Sequence, residues 1–167
     1  MAEVFVKRSR IGAAAEVLFR WHAEPGAFER LSPPWEPVEF IVRALGVRNG
    51  DRGVLGVRLG PFRVRWEFEH RGYIEGRQFQ DVQTRGPFRR WEHTHSFIPD
   101  GDAACWLEDR VEYQLPFGFL GRWFGGAMVR QRLERLFAWR HEFTAEAMAK
   151  PQSGSAAGAV RSSRGAL

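Results

Sequence analysis

Gly86-Pro87-Phe88-Arg89-Arg90-Trp91-Glu92-His93-Thr94-His95-Ser96-Phe97 is the stretch that decides how this chain is read. A Gly-Pro turn leads into a run in which bulky rings alternate with small or charged residues. Strand side chains alternate between faces, so Trp91, His93, His95 and Phe97 share one face and Glu92, Thr94 and Ser96 the other. The face with Trp and Phe is the inward one. Two titratable rings then point into the interior beside large aromatics. A buried polar group carries more information than any apolar residue. It marks either a structural network or a pocket that handles a small molecule.

The neighbouring strands extend this face. After a turn at Pro99-Asp100-Gly101-Asp102, Cys105, Leu107, Asp109, Val111 and Tyr113 alternate with Trp106, Glu108, Arg110, Glu112 and Gln114. The first set is inward and takes Asp109 with it. On the other side, a three-residue Gly86-Pro87-Phe88 loop sets Asp81 opposite His93 and Gln83 opposite Trp91. A slip of one residue would send Asp81 and Gln83 to solvent. The three-residue loop is favoured because Pro is poor at the second position of a two-residue hairpin. Val64, Trp66, Phe68 and His70 alternate with charged residues and add His70 to the interior.

Further upstream, Asn49-Gly50 is a two-residue hairpin signal. It predicts Val42 opposite Val57 and Phe40 opposite Leu59. Val4-Phe5-Val6 opens a first strand, Ala13–His22 reads as a helix, and a second short helix carries Phe28 and Leu31. Pro116–Gly121 breaks the strand pattern. From Trp123 to about Met148, Val129, Leu133, Leu136, Phe137 and Phe143 form an apolar helical stripe with charges opposite. The class is α+β: one strand, two short helices, a run of antiparallel strands and one long helix.

Composition sets bounds. A chain of 167 residues fits one domain, here 1–149. Pro151–Gly158 and Arg161–Arg164 lack a core-forming pattern, so 150–167 is expected to be a disordered tail. The 14 Phe and 7 Trp exceed what a core this size needs, and lined cavities use such residues. The net charge of +5 comes from arginines interspersed with acids. That describes a mixed solvated surface rather than a nucleic-acid groove, and no nucleic-acid partner is expected. The single cysteine, Cys105, cannot form an intramolecular disulfide and reads as a small buried hydrophobe. Lys7, Arg8 and Arg10 are followed by no apolar stretch, and no segment reaches the length of a membrane span. No signal peptide or transmembrane segment is therefore expected, and the location is expected to be cytoplasmic. The glycines at 46, 50, 53, 56 and 60 lack the helix and Lys-Ser/Thr of a phosphate loop and read as strand bends.

Phe28-Glu29-Arg30-Leu31-Ser32-Pro33-Pro34-Trp35, the Gly86–Phe97 stretch and Leu115-Pro116-Phe117-Gly118-Phe119-Leu120-Gly121 together resemble the START-like helix-grip superfamily, also labelled SRPBCC or polyketide cyclase/dehydrase-like. The branch resembled is one whose relatives are sometimes fused to an NAD-dependent sugar-nucleotide epimerase-like domain. The resemblance covers about residues 1–148. It implies a curved antiparallel sheet of six to seven strands around a long C-terminal helix, with a deep cavity between them. It also makes an epimerase-like protein on a separate chain a candidate partner. It carries no catalytic motif to transfer.

The expected ligand-lining set is Trp66, Phe68, His70, Asp81, Gln83, Trp91, His93, His95, Asp109 and Trp123. Four roles are open for its polar members. They are a satisfied hydrogen-bond network, a pocket orienting a polar or aromatic ligand, an Asp–His acid/base pair in a cyclase or dehydratase, and a zinc site. His-x-His with a distant Asp is a loose metal pattern, and neither a metal nor a cofactor is expected. The function expected is binding of a small hydrophobic or aromatic ligand. The alternatives are the acid/base enzyme, using His93 or His95 with Asp109, and a non-catalytic interaction domain with a filled cavity. Phe117, Phe119, Trp123 and Phe124 beside four glycines read as core packing, as a mobile lip at the cavity mouth, or as a patch that touches a membrane or a partner.

Overall fold

The computed structural model describes residues 2–36, 38–59, 62–116 and 118–150, with Leu59 and 118–124 described by backbone alone. The elements run β1 (Glu3–Ile11), α1 (Ala15–Ala23), α2 (Ala27–Arg30), β2 (Glu39–Val42), β3 (Arg52–Leu59), β4 (Phe62–Ile74), β5 (Gln78–Arg85), β6 (Arg90–Pro99), β7 (Cys105–Gln114) and α3 (Gly118–Ala149). The strands form one curved antiparallel sheet in the order β1-β7-β6-β5-β4-β3-β2. Its concave face holds α3, a helix of 32 residues and so about 48 Å long at 1.5 Å per residue. This is the α+β helix-grip arrangement that the element order implies. The expected tail beyond Lys150 lies outside the described residues.

Burial follows the alternation read from the sequence. On β6, His93, His95 and Phe97 are buried; on β7, every second residue from Cys105 to Tyr113 is. Asp81 stands opposite His93, and His95 opposite Asp109. The outer sheet face is a lattice of arginine–glutamate pairs, among them Arg52–Glu69 at 2.8 Å, Arg90–Glu92 at 2.9 Å and Arg110–Glu112 at 3.0 Å. Exposed pairs of this kind each add little stability, but they keep the face wet and account for the arginine excess.

Two apolar clusters fill the concave side. One joins α1 to one end of the sheet through Ile11, Leu18, Phe19, Phe79, Phe97 and Leu107. The other joins α3 to the opposite end through Phe5, Val111, Tyr113, Leu133 and Phe137. The buried polar residues lie between them. Tertiary burial of its stripe at Leu133, Phe137, His141 and Thr144 holds α3 in place. The helix starts at Gly118, five residues before the Trp123 start expected from the sequence. The side chains of Phe117, Phe119, Trp123 and Phe124 lie outside the described residues.

Two readings of the early strands are corrected. Phe40 pairs with Leu55 and Val42 with Val54, not Leu59 and Val57. The Asn49-Gly50 turn exists, with Asp51 N–H donating to Arg48 O at 3.0 Å and Gly50 at φ +90°. However, its backbone is taken by β4: Gly50 N–H donates to His70 O at 2.9 Å, and His70 N–H to Asp51 O at 2.8 Å. The turn therefore opens the β3–β4 ladder, and a longer connection joins β2 to β3. Gly53 is also more than a strand bend. It faces Phe68 across the ladder, and a Cβ there would stand 2.4 Å from the Phe68 ring. Only glycine lets Phe68 lie flat over β3, which shapes the floor of the cavity.

Candidate functional site

Between the two apolar clusters, β4 to β7 and α3 deliver a chain of buried histidines and carboxylates. Asp109 is its hub. Its Oδ1 takes His93 Nε2 at 2.8 Å and His95 Nδ1 at 2.8 Å, and its Oδ2 takes His141 Nε2 at 2.7 Å. His141 Nδ1 is anchored in turn to Ser9 Oγ on β1 at 2.8 Å. The second carboxylate, Asp81, faces the other side of the same rings. Its Oδ2 lies 3.3 Å from His95 Nε2 and 3.7 Å from His93 Nδ1. His70 Nδ1 lies 2.8 Å from Asp81 Oδ1, but neither atom is in a well-aligned hydrogen bond. The His93 and His95 rings are 3.9 Å apart, Phe79 stacks on His95 at 4.4 Å, and Phe137 meets His93 edge-on at 5.0 Å.

These contacts set the charges. Burial alone would raise both carboxyls. Contacts with His70, His93 and His95 hold Asp81 well below the usual carboxylate range. The charge on His95 and bonds from His141, His93 and His95 do the same for Asp109. For His95, burial opposes the charged form, but Asp109 and Asp81 overcome it and raise the pKa to about 9. His22 on α1 is the opposite case. Buried, with Nδ1–H donating to Leu18 O at 2.9 Å, it is pushed down to about 3. Burial likewise pushes the Cys105 thiol up, which suits a packing residue.

Two cavities flank this group. The first, about 150 Å³, lies between the sheet and α3 and is lined by Leu55, Val57, Trp66, Phe68, Phe88, Trp91, Val129, Leu133 and Phe137, with Asp81, His93 and Arg140 and the Glu36–Arg132 ion pair as polar groups. Trp66 and Trp91 meet edge to face at 5.0 Å. The second, about 190 Å³, lies under α2 and the loop after β2 and is lined by His22, Phe40, His70, Phe79 and His95 among others. Phe28, Leu55, Phe68, Asp81 and Arg140 line both. Arg140 donates from Nε to Leu31 O at 2.8 Å.

The expected site residues therefore fall in several places. Trp66, Phe68, Asp81, Trp91 and His93 line the first cavity; His70 and His95 line the second. Asp109 lies behind the histidines as their anchor. Gln83 lines neither: its amide donates to Phe88 O at 2.7 Å and accepts from Phe88 N–H at 3.4 Å, which holds the β5–β6 turn. The side chain of Trp123 is outside the described residues. Sequence reasoning missed His141, His22 and Arg140. His141 stands four residues after Phe137 and eight after Leu133, and His22 four after Leu18, so counting helical faces finds both.

A family model described as "Polyketide cyclase / dehydrase and lipid transport" matches residues 11–137. No curated protein matches the chain. Among solved structures, a nucleoside-diphosphate sugar epimerase from Corynebacterium glutamicum is 25% identical with a TM-score of 0.66, over 85% of this chain but 28% of that one. A START superfamily protein from Mycobacterium smegmatis is 17% identical with a TM-score of 0.64, covering 86% of this chain and 97% of its own. The Zhui aromatase/cyclase from Streptomyces sp. R1128 is 12% identical with a TM-score of 0.61, over 89% and 92%. Likeness at the two lower identities is likeness of fold.

Proposed function

The chain belongs to the polyketide cyclase / dehydrase and lipid transport family, and from that premise we propose that it binds a small hydrophobic or aromatic ligand between the sheet and α3. The observation that carries this reading is the first cavity, with rings on its walls and a few polar groups, Asp81, His93 and Arg140 among them. Ligand sites are built in this way, with apolar area supplying affinity and a few polar groups fixing orientation. Its size narrows the class. At about 150 Å³ it is comparable with an engineered apolar cavity that accepts benzene. It suits a single-ring compound. Long acyl chains and fused polycycles exceed it.

An aromatic ligand would lie against Trp66, Trp91 and Phe137 and turn its polar substituent to His93, Asp81 and Arg140. An interaction domain with a filled core has no use for this open, ring-lined space.

The test is a panel of substituted single-ring phenols, aldehydes and carboxylates, read by thermal shift and by calorimetry. At least one compound should bind the wild type at 1:1, and Val57→Trp, which fills the cavity from β3, should abolish that binding while keeping the fold. Binding that Val57→Trp leaves intact, or no binding across the panel, would reject the proposal.

A further inference from the structure

We propose that Asp81, His93 and His95 form a binding site for a divalent transition-metal ion, with zinc as the reference case. Three ligand atoms converge on one point: Asp81 Oδ2, His93 Nδ1 and His95 Nε2, all within 4.8 Å of one another. With zinc bonds of about 2.0–2.2 Å, ligand atoms on a tetrahedron stand about 3.3–3.6 Å apart. The Asp81–His95 edge is 3.3 Å and the Asp81–His93 edge is 3.7 Å. The third edge, His93 to His95, lies within 4.8 Å, and rotation of the two adjacent rings would shorten it.

The surroundings of the three ligands carry the inference further. A metal-bound imidazole has its other ring nitrogen held by a carboxylate, which fixes the tautomer and aims the free nitrogen. His93 meets this requirement by a hydrogen bond, and His95 by an ion-pair contact, with the same carboxylate oxygen. Asp109 Oδ1 takes His93 Nε2 at 2.8 Å and His95 Nδ1 at 2.8 Å. The other oxygen of Asp109 is fixed by His141, and His141 by Ser9. The remaining oxygen of Asp81, Oδ1, has His70 Nδ1 beside it at 2.8 Å, in poor hydrogen-bond alignment, so Asp81 keeps the freedom to turn Oδ2 onto an ion. Two imidazoles and one carboxylate suit zinc or iron(II) and leave further positions open. Asp81 lines both cavities, His93 the first and His95 the second, so an open position faces the space where a ligand would lie. The site stands independently of the ligand proposal.

Adventitious binding has few places to start. All five histidines are buried, and so is the one cysteine. The test uses tag-free full-length protein, stripped with a chelator and dialysed. Zn²⁺ is titrated by calorimetry, and Co²⁺ by its visible d–d absorption. We expect one ion per chain, a Co²⁺ spectrum typical of four- or five-coordination, and a zinc absorption edge fitted by two imidazoles. His93→Asn and Asp81→Asn should each abolish the 1:1 site. His141→Gln, which acts only through Asp109, should weaken it about 10–100-fold. Glu92→Gln, on the outer face, should change nothing. The edge spectrum needs no variant, so a variant that fails to fold does not spoil the test. Absence of 1:1 binding at millimolar Zn²⁺ would overturn the proposal, as would an edge without imidazole or binding unchanged in a folded His93→Asn.

Discussion

Replacing Asp109 by Asn tests whether this carboxylate supports the interior through its charge or through its shape. Asparagine keeps one acceptor at the Oδ1 position, so His93 and His95 retain a partner. At the Oδ2 position it presents an NH₂ to His141 Nε2. That clash is repaired locally: His141 moves its proton to Nδ1 and donates to Ser9 Oγ, which lies at 2.8 Å. The hydrogen-bond count therefore survives, and what is lost is the negative charge beside the His95 imidazolium. A hydrogen bond to a charged group contributes about 1.5–3 kcal/mol, and leaving a buried charge unpaired costs about 3–5 kcal/mol. His95 keeps Asp81 at 3.3 Å, which places the cost toward the lower end, about 3 kcal/mol. The loss should also depend on pH. In the wild type His95 is charged below about 9. The penalty should be full near pH 6 and fade as the pH rises past 9, where both proteins hold a neutral ring. The assay is urea unfolding of both proteins in chelator at pH 6 and pH 9.5. A loss equal at both pH values, or too small to measure at pH 6, would refute the charge argument.

The two histidine shifts set the pH profile of the metal-free wild type. A folded pKa of about 9 for His95 against 6.5 unfolded gives stability that is complete below 6.5 and lost as the pH rises through 9. At about 1.36 kcal/mol per pH unit this is about 3 kcal/mol. His22, at about 3 when folded, has the opposite sign. The unfolded chain takes up its proton first, and stability falls progressively below pH 6.5. A stability maximum near pH 6.5 is expected in urea titrations across pH 4–10, and His22→Phe should flatten the acidic limb; a wild-type profile without an alkaline fall contradicts the His95 assignment. His93→Ala should cost about 1–3 kcal/mol by removing a buried donor from Asp109, whereas Glu92→Ala should stay within about 0.5 kcal/mol. Reversed costs in denaturant melts would invert the face assignment. Gly53→Ala drives a Cβ into the Phe68 ring, and a loss of about 1–3 kcal/mol is expected from overpacking, with a neutral result counting against the close approach. Deleting 151–167 should leave the thermal midpoint unchanged, and a clear drop would mean that the segment packs on the domain.

The sheet was legible where one face is buried and the other solvated. Alternation from Trp91 to Phe97 and from Cys105 to Tyr113 forces the choice of face, and a Gly-Pro-Phe turn sets Asp81 opposite His93 without any tertiary information. Where that contrast fades, the reading failed. β2 is four residues long and largely exposed, so no buried face pins its register, and the Asn49-Gly50 signal was assigned to the wrong ladder. The site was half legible for a related reason. Strand residues announce themselves by a period of two, but His141 lies between Arg140 and Glu142 on a helix rich in charge. Only its spacing from Leu133 and Phe137 places it inside. Gln83 shows the converse. Its inward parity was read as a place in the cavity, whereas the turn beside it takes both ends of its amide.

The central claim is that the ring-lined cavity holds a small organic ligand, and the most direct measurement is mass spectrometry of compounds released by denaturing freshly purified protein. Wild type and Val57→Trp should be prepared identically. The account predicts one low-molecular-weight, single-ring compound in near-stoichiometric amount from the wild type and depleted in the variant. The same compound recovered equally from both proteins, or an extended acyl chain too long for a cavity of about 150 Å³, would contradict it.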